Sequence, residues 1–339
     1  MKIILAGALM LGAAAIVTPA PAQGTAPLRL VKTVTLPGYT GDFDHLAIDR
    51  QRGRILVAAE DHATLEIFDL KTGNHLKTIS GFGAPHTILI RPNSPNILVT
   101  DSGNEMTAVL DAETYAKKGS IKLIPGADSA SYDAIANIWY IVTGGKDVDM
   151  KTAEIEAINP DTGQKLGQIT FNDNHVEAMA LEKSGDRLFI NLAQTNKLAV
   201  VNRKTMTEIA EWPVPPAKGN AMVAFDEGAK RLYVVCRDPG MVVVMDSDTG
   251  AVVSTASAPL RADDVMMDIA THRLYVPGGE GYIGVYDTSH PDQIQQIAKV
   301  TTAPGAKTGL LLPDLKKMLL AASPGDTKNV AKIMTYKLL

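Results

Sequence analysis

Arg54-Ile-Leu-Val-Ala58 is a short apolar run to which the chain returns six times: Asn96-Ile-Leu-Val-Thr100, Ile138-Trp-Tyr-Ile-Val142, Arg187-Leu-Phe-Ile-Asn191, Arg231-Leu-Tyr-Val-Val235, Arg273-Leu-Tyr-Val-Pro277 and Lys317-Met-Leu-Leu-Ala321. The leading residues are 42, 42, 49, 44, 42 and 44 apart. Runs of four or five residues rich in Val, Ile and Leu, cut by turns, suit strands and leave no room for ordinary helices. Each copy has an apolar strand upstream, such as Met222-Val-Ala-Phe225, and a third strand downstream, such as Leu65-Glu-Ile-Phe68. A turn follows, as in Asp69-Leu-Lys-Thr-Gly73, Asn159-Pro-Asp-Thr-Gly163 and Asp246-Ser-Asp-Thr-Gly250, and then a fourth strand such as Lys77-Thr-Ile79. Asp or Asn opens such a turn by accepting backbone N–H bonds, and Gly closes it where positive φ is needed. Four short strands in roughly 40–50 residues is the blade of a propeller. Seven copies predict an all-β, seven-bladed β-propeller with four-stranded antiparallel blades.

The seventh copy ends in Ile333-Met-Thr-Tyr336 and lacks a fourth strand, while Leu30-Val-Lys-Thr-Val-Thr-Leu36 precedes the first copy and aligns with a fourth-strand segment. The N-terminal strand is therefore expected to close the last blade and remove two open edges. The extra residues of the third copy fall around Lys146 to Lys151 and are expected in a surface hairpin.

Residues 1–22 read as a secretory leader: Lys2 is the one charge, Ile3 to Val17 is almost wholly apolar, and Ala20-Pro21-Ala22 is a small-residue cleavage site. The expected organisation is a signal peptide over 1–22 and one propeller domain over 23–339, in a periplasm or outside the cell, with no membrane span after leader removal. Of 33 Lys and Arg one is Lys2, against 37 Asp and Glu, so the chain beyond residue 22 carries a net charge of about −5. Mild acidity disfavours a broad nucleic-acid surface, which needs clustered cations. Cys236 has no internal partner and sits in the apolar run Leu232-Tyr-Val-Val-Cys236, which marks a buried structural thiol.

The order of turn, fourth strand, Pro-containing link and first strand, clearest in Asp69-Leu-Lys-Thr-Gly73, Lys77-Thr-Ile79, Ala84-Pro85-His86 and Ile97-Leu-Val99, resembles the YVTN-repeat propellers, relatives of lactonase-type propellers. The resemblance runs from about Leu30 to the C-terminus. Copies two and four depart from it with Thr114-Tyr115 and Thr205-Met206 in place of Thr-Gly, and copy six has Asp287-Thr-Ser-His-Pro291. It implies the fold and leaves the activity open, because members of such a family bind varied partners.

Ten residues before each recurring strand lies the start of a first strand, the strand that lines a propeller channel. Those positions are Asp44, His86, Asp128, Glu177, Ala221, Asp263 and Lys307, six of the seven ionisable and one per blade. They are expected to ring the channel mouth. Crowded carboxylates raise each other's pKa unless a cation neutralises them, so Asp128 and Glu177 are a candidate metal pair. A hard cation such as Ca²⁺ or Mg²⁺ suits the oxygens, and His86 or His175 would add affinity for Zn²⁺. Asp264 and His45, one residue on, are expected to point away because side chains alternate. Loops after the recurring strand bring Glu60, Asp61, His62, Asp101, Lys146, Asp147, Gln194, Arg237, Asp238 and Glu280 to the same face.

Two functions fit. One is a binding protein that holds a small molecule or protein at the channel mouth through Asp44, His86, Asp263, Lys307 and Arg237. The other is a metal-dependent, lactonase-like hydrolase in which His86 or Glu177 moves protons. The chain has no Gly-x-Ser-x-Gly elbow, phosphate loop, dinucleotide fingerprint, His-Glu-x-x-His or Cys-x-x-Cys-His.

Overall fold

In a computed structural model, residues 26–325 and 329–339 are described; the expected leader over 1–22 lies outside them. Seven four-stranded antiparallel sheets follow one another around a ring. Blade 1 is built from Leu46–Asp49, Arg54–Ala59, Thr64–Asp69 and His75–Ser80, and blades 2 to 6 repeat that order. Blade 7 takes Ala306–Leu312, Lys317–Ala322 and Ala331–Leu338 from the C-terminus and its outermost strand, Leu28–Leu36, from the N-terminus. The closing pair is antiparallel, from Leu28 opposite Leu338 to Leu36 opposite Ala331. No helix among the described residues is long and apolar enough to cross a membrane.

The recurring strand is continuously apolar because each blade is sandwiched between two others. Successive side chains of a strand point to opposite faces, so one strand feeds two cores. Ile55, Val57 and Ala59 pack against Leu319 and Ile333 of blade 7. Leu56 and Ala58 pack against Ile97 and Val99 of blade 2. Between blades 3 and 4, Tyr140 and Val142 meet Leu188 and Ile190, while Trp139 and Ile141 turn back toward Leu98 of blade 2. The seven apolar clusters are these seven interblade seams, and the outermost strands, wet on one face, are mostly exposed.

The third-to-fourth-strand turns follow the Asp/Asn-opened pattern. Thr72 N donates to Asp69 Oδ1 at 2.6 Å and Gly73 N to Asp69 O at 2.7 Å, with Gly73 at φ 66°. Tyr115 and Met206, which replace the glycine in copies two and four, keep the same left-handed backbone at φ 64° and 52°. That conformation costs a side chain roughly 1–2 kcal/mol, and Tyr115 gains the Arg54 guanidinium, 2.6 Å from its hydroxyl, in compensation.

Gly305 tolerates no such exchange. It sits at φ 81°, and a Cβ there would overlap the Ser323 carbonyl oxygen. Gly305→Ala is expected to cost about 2–5 kcal/mol, the left-handed penalty plus the overpacking strain, read as an earlier urea midpoint with an unchanged slope. Cys236 is buried as expected, and burial pushes its thiol up to about 12. The native protein should therefore resist alkylation at about pH 8, and urea should expose one thiol per chain.

Candidate functional site at the channel mouth

The ring positions are set by a backbone irregularity shared by all seven blades. In blade 1, Asp44 N donates to Ala58 O at 2.9 Å and Ala58 N donates to His45 O at 3.0 Å, so two consecutive residues face one. Blade 3 repeats this with Asp128 and Ser129 opposite Val142. In blades 2, 4, 5 and 7 the ladder slips by one residue at the same place, between Pro85 and Ile88, Val176 and Met179, Asn220 and Met222, and Ala306 and Thr308. Blade 6 slips between Ala262, opposite Gly278, and Met266, opposite Tyr275. A bulge re-aims side chains at a sheet end, and here it breaks the alternation on which the orientation of His45 was expected. His45 lines the cavity beside Asp44, whereas Asp264 is not part of the wall and binds Gly309 N at 3.0 Å.

Asp44, His86, Asp128, Glu177, Asp263 and Lys307 all face one cavity of about 440 Å³. Ala221 is buried and Met222 takes its place in the wall. Of the loop residues, Glu60, Lys146, Asp147 and Arg237 join the lining. The insertion of blade 3 is a wall of the cavity rather than a surface hairpin: Lys146–Val148 forms a 3₁₀ turn tied to the next blade through Lys146 N to Asn174 O at 2.8 Å. Asp61, Asp101, Gln194 and Glu280 instead hold incoming links, accepting from the backbone N–H groups of Asp42, Ala84, Asn174 and Leu260. His62 stacks on Tyr39, 4.0 Å between ring centroids.

Most charges in the cavity are paired across blades. Arg237 of blade 5 bonds Glu177 of blade 4 at 2.8 Å and Asp263 of blade 6. Lys307 of blade 7 bonds Asp263 and Asp42, each at 2.8 Å. Burial works to raise the Glu177 carboxyl, but the His175 hydrogen bond and the Arg237 charge outweigh it and hold the group below its usual range. Glu177 Oε1 thus receives both Arg237 and His175, the latter at 2.7 Å, so a cation shared with Asp128 would meet a carboxylate whose charge is already offset by a guanidinium.

The other side of the cavity is differently arranged. His86, 7% exposed, gives Nδ1 to Asp44 Oδ2 at 2.6 Å and Nε2 to Ser102 Oγ at 2.9 Å. Burial opposes its charge, yet the bond to Asp44 and the fields of Asp128, Asp44 and Glu60 raise it to about 10. Burial likewise opposes the Asp44 carboxylate, but His45, His86 and Lys307 bring it down to about 2. Asp128 lies deep, yet 44% of its side chain meets the cavity, 3.5 Å from His86 Nδ1. Burial, against the pull of His86 and with the push of Asp44 and Glu177, raises it to about 6. Glu60 makes no ion pair among the described residues, and burial with the neighbouring carboxylates raises it to about 7. Asp44, Glu60 and His86 offer donor atoms within 4.8 Å of one another. Metal ligation by His86 would require giving up one of its two hydrogen bonds.

No family model matches the chain. It is similar to the uncharacterized protein YncE of Salmonella typhimurium and of Salmonella typhi, 22% identical to each over 250 residues, 70% of this chain and 69% of either relative. Among solved structures, a chain from a crystal structure of the mitotic checkpoint complex superimposes with a TM-score of 0.73 over 99% of this chain and 98% of that one, at 12% identity. That likeness concerns the fold alone. Together these findings make the chain a β-propeller protein similar to YncE.

Proposed function

We propose that the protein is an exported binding propeller that holds a small cationic molecule at its channel mouth. The leader-like pattern of residues 1–22 supports export. The observation that carries the binding reading is a charge imbalance inside a confined space. Six carboxylates (Asp44, Glu60, Asp128, Asp147, Glu177 and Asp263) line the cavity against three fixed cations, Lys146, Arg237 and Lys307. Arg237 and Lys307 are spent on Glu177, Asp263 and Asp42, and His86 on Asp44. Asp128, Glu60 and Asp147 remain, with Lys146, which bonds His175 at 3.1 Å, as the one unspent fixed cation of the lining. Burial first and the neighbouring carboxylates second raise Asp128 and Glu60 despite the nearby His86. A cavity of this size takes a small molecule rather than a folded partner.

Calorimetric titration with tetramethylammonium, a primary-amine panel and, separately, Ca²⁺, Mg²⁺ and Zn²⁺ tests this. Organic cations should bind at one site per chain. Uptake of a metal ion alone would support the metal-dependent hydrolase instead, and no binding of either kind would end the proposal.

Asp128→Asn should weaken binding of the primary amines about 10–100-fold, since a hydrogen bond to a charged group is worth roughly 1.5–3 kcal/mol. Affinity should also fall as pH drops through about 7 to 5, where Glu60 and Asp128 take up protons. Stability should move the other way. A carboxyl whose folded pKa is raised loses stability as pH climbs from its ordinary value to the folded one, about 6 for Asp128 and about 7 for Glu60. A raised histidine loses its contribution as pH climbs from its ordinary value toward its folded pKa. Asp44 and Glu177, held low, withdraw support only in stronger acid. The empty protein should therefore melt higher near pH 5 than near pH 8, and Asp128→Asn should raise Tm at the alkaline end. Thermal melts across pH without ligand check both signs.

A further inference from the structure

Ser102 follows the second strand of blade 2 in the turn Asp101-Ser102-Gly103-Asn104. The turn is rigidly held. The Asp101 carboxylate accepts Gly83 N at 3.0 Å and Ala84 N at 2.8 Å, and Gly103 packs its backbone on that of Gly83 so closely that a Cβ on either would collide. Ser102 N donates to Ala84 O, and the side chain faces the cavity. Its Oγ meets His86 Nε2 at 2.9 Å, while the opposite nitrogen of the same ring meets Asp44 Oδ2 at 2.6 Å. The three residues come from two blades, and all three line the cavity wall. Serine nucleophiles are activated by this order of contacts: hydroxyl to one imidazole nitrogen, carboxylate to the other, which fixes tautomer and orientation.

We infer that Ser102, His86 and Asp44 form a nucleophile, a base and an orienting carboxylate that transfer the acyl group of a small ester carrying a positive charge. The substrate class rests on the cation-binding reading above. Ser102 Oγ adds to the carbonyl carbon as its proton passes to His86 Nε2. The carbon–oxygen bond to the alcohol breaks, and His86 returns the proton to that leaving group. Water then attacks the acyl-serine, giving a proton to His86 and releasing the acid as Ser102 recovers its own. Ester and water become acid and alcohol, with no oxidant or co-reactant.

The charge on the substrate has a specific task. Asp44, Asp128 and Glu60 all face His86, and together they hold its ring protonated in the empty cavity, where it cannot act as a base. A cationic group seated against Asp128 and Glu60 screens two of the three. It frees Nε2 to take a proton, and it removes the repulsion that those carboxylates would exert on the developing oxyanion. Asp44, which touches no substrate atom, is a positioning residue.

The test uses the full chain and three readouts. Diisopropyl fluorophosphate at about pH 9.5, where His86 begins to lose its proton, should add one phosphoryl group mapped to Ser102, with loss of fluoride. At about pH 7.5, acetylcholine should be hydrolysed with kcat/KM at least about tenfold above that of its uncharged isostere 3,3-dimethylbutyl acetate, and the preference should collapse in Asp128→Asn. Ser102→Ala should abolish both turnover and labelling while still binding tetramethylammonium by calorimetry. Asp44→Asn should lower kcat by about 100-fold or more with KM little changed, as loss of an orienting carboxylate does. Tetramethylammonium binding without a Ser102 adduct or turnover would overturn the relay and leave the binding reading standing. A Ser102 adduct with turnover indifferent to substrate charge would overturn the substrate class.

Discussion

A chain that starts at Pro37, and so lacks the closing strand Leu28–Leu36, is expected to show no cooperative urea transition at 25 °C, whereas a chain starting at Ala26 unfolds cooperatively. Blade 7 would lose its fourth strand along the whole pairing from Leu28 to Leu36. Leu28 and Leu36, 3% and 5% exposed, anchor the seams on either side of that blade. Burial of a leucine is worth about 1.5–3 kcal/mol, and the lost ladder adds an open edge on Ala331–Leu338. Against a typical stability of about 5–15 kcal/mol, that loss takes most of the margin. Adding the 28–36 peptide in trans should restore part of the transition by strand addition. A Pro37 chain with the midpoint of the longer one would show that the ring does not depend on closure.

Arg237→Ala should be the most damaging single change at the channel mouth. It removes a side chain that joins blades 4, 5 and 6, and leaves Glu177 with His175 and Asp263 with Lys307 in place of the guanidinium they shared. Breaking a buried pair costs roughly 3–5 kcal/mol; here water reaches the site, so about 2–4 kcal/mol is expected. Glu177 is held low, so its contribution is present above the ordinary carboxylate range and is lost as pH falls through its folded pKa. The deficit of Arg237→Ala should therefore be large at about pH 7 and shrink near pH 4, where the carboxylates that lost the guanidinium protonate. Urea unfolding at the two pH values measures it. An equal deficit at both would mean that the guanidinium acts through packing rather than charge.

The fold was legible because it is written seven times over. One apolar strand, repeated at blade spacing, gave both the number of blades and their strand order, and the mismatch between the two chain ends pointed to Leu30–Leu36, all but the first two residues of the closing strand Leu28–Leu36. Counting ten residues back from that strand also found six of the side chains that meet in the cavity, Ala221 being the exception, since the repeat preserves their depth in each blade. What the count could not supply is the bulge. A single extra residue in a ladder leaves no mark in an apolar pattern, so His45 was expected to face away. Nor could it supply the pairing. Arg237 reaches two other blades, and whether it serves a ligand or Glu177 and Asp263 depends on distances that exist only once the ring is closed. Ser102 was invisible for the same reason. It lies 16 residues from His86, and nothing in Asp-Ser-Gly-Asn marks its hydroxyl as the partner of a ring nitrogen in the preceding strand.

Asp128 and Glu60 at the channel mouth are proposed to hold a cation. A crystal structure of the full chain soaked with the tightest-binding organic cation tests it most directly. Density for that cation is expected within hydrogen-bond or ion-pair reach of Asp128 and Glu60, with Arg237 still bonded to Glu177 and Asp263. A cation seated elsewhere, or a cavity in which Arg237 has swung to close on Asp128, would contradict it.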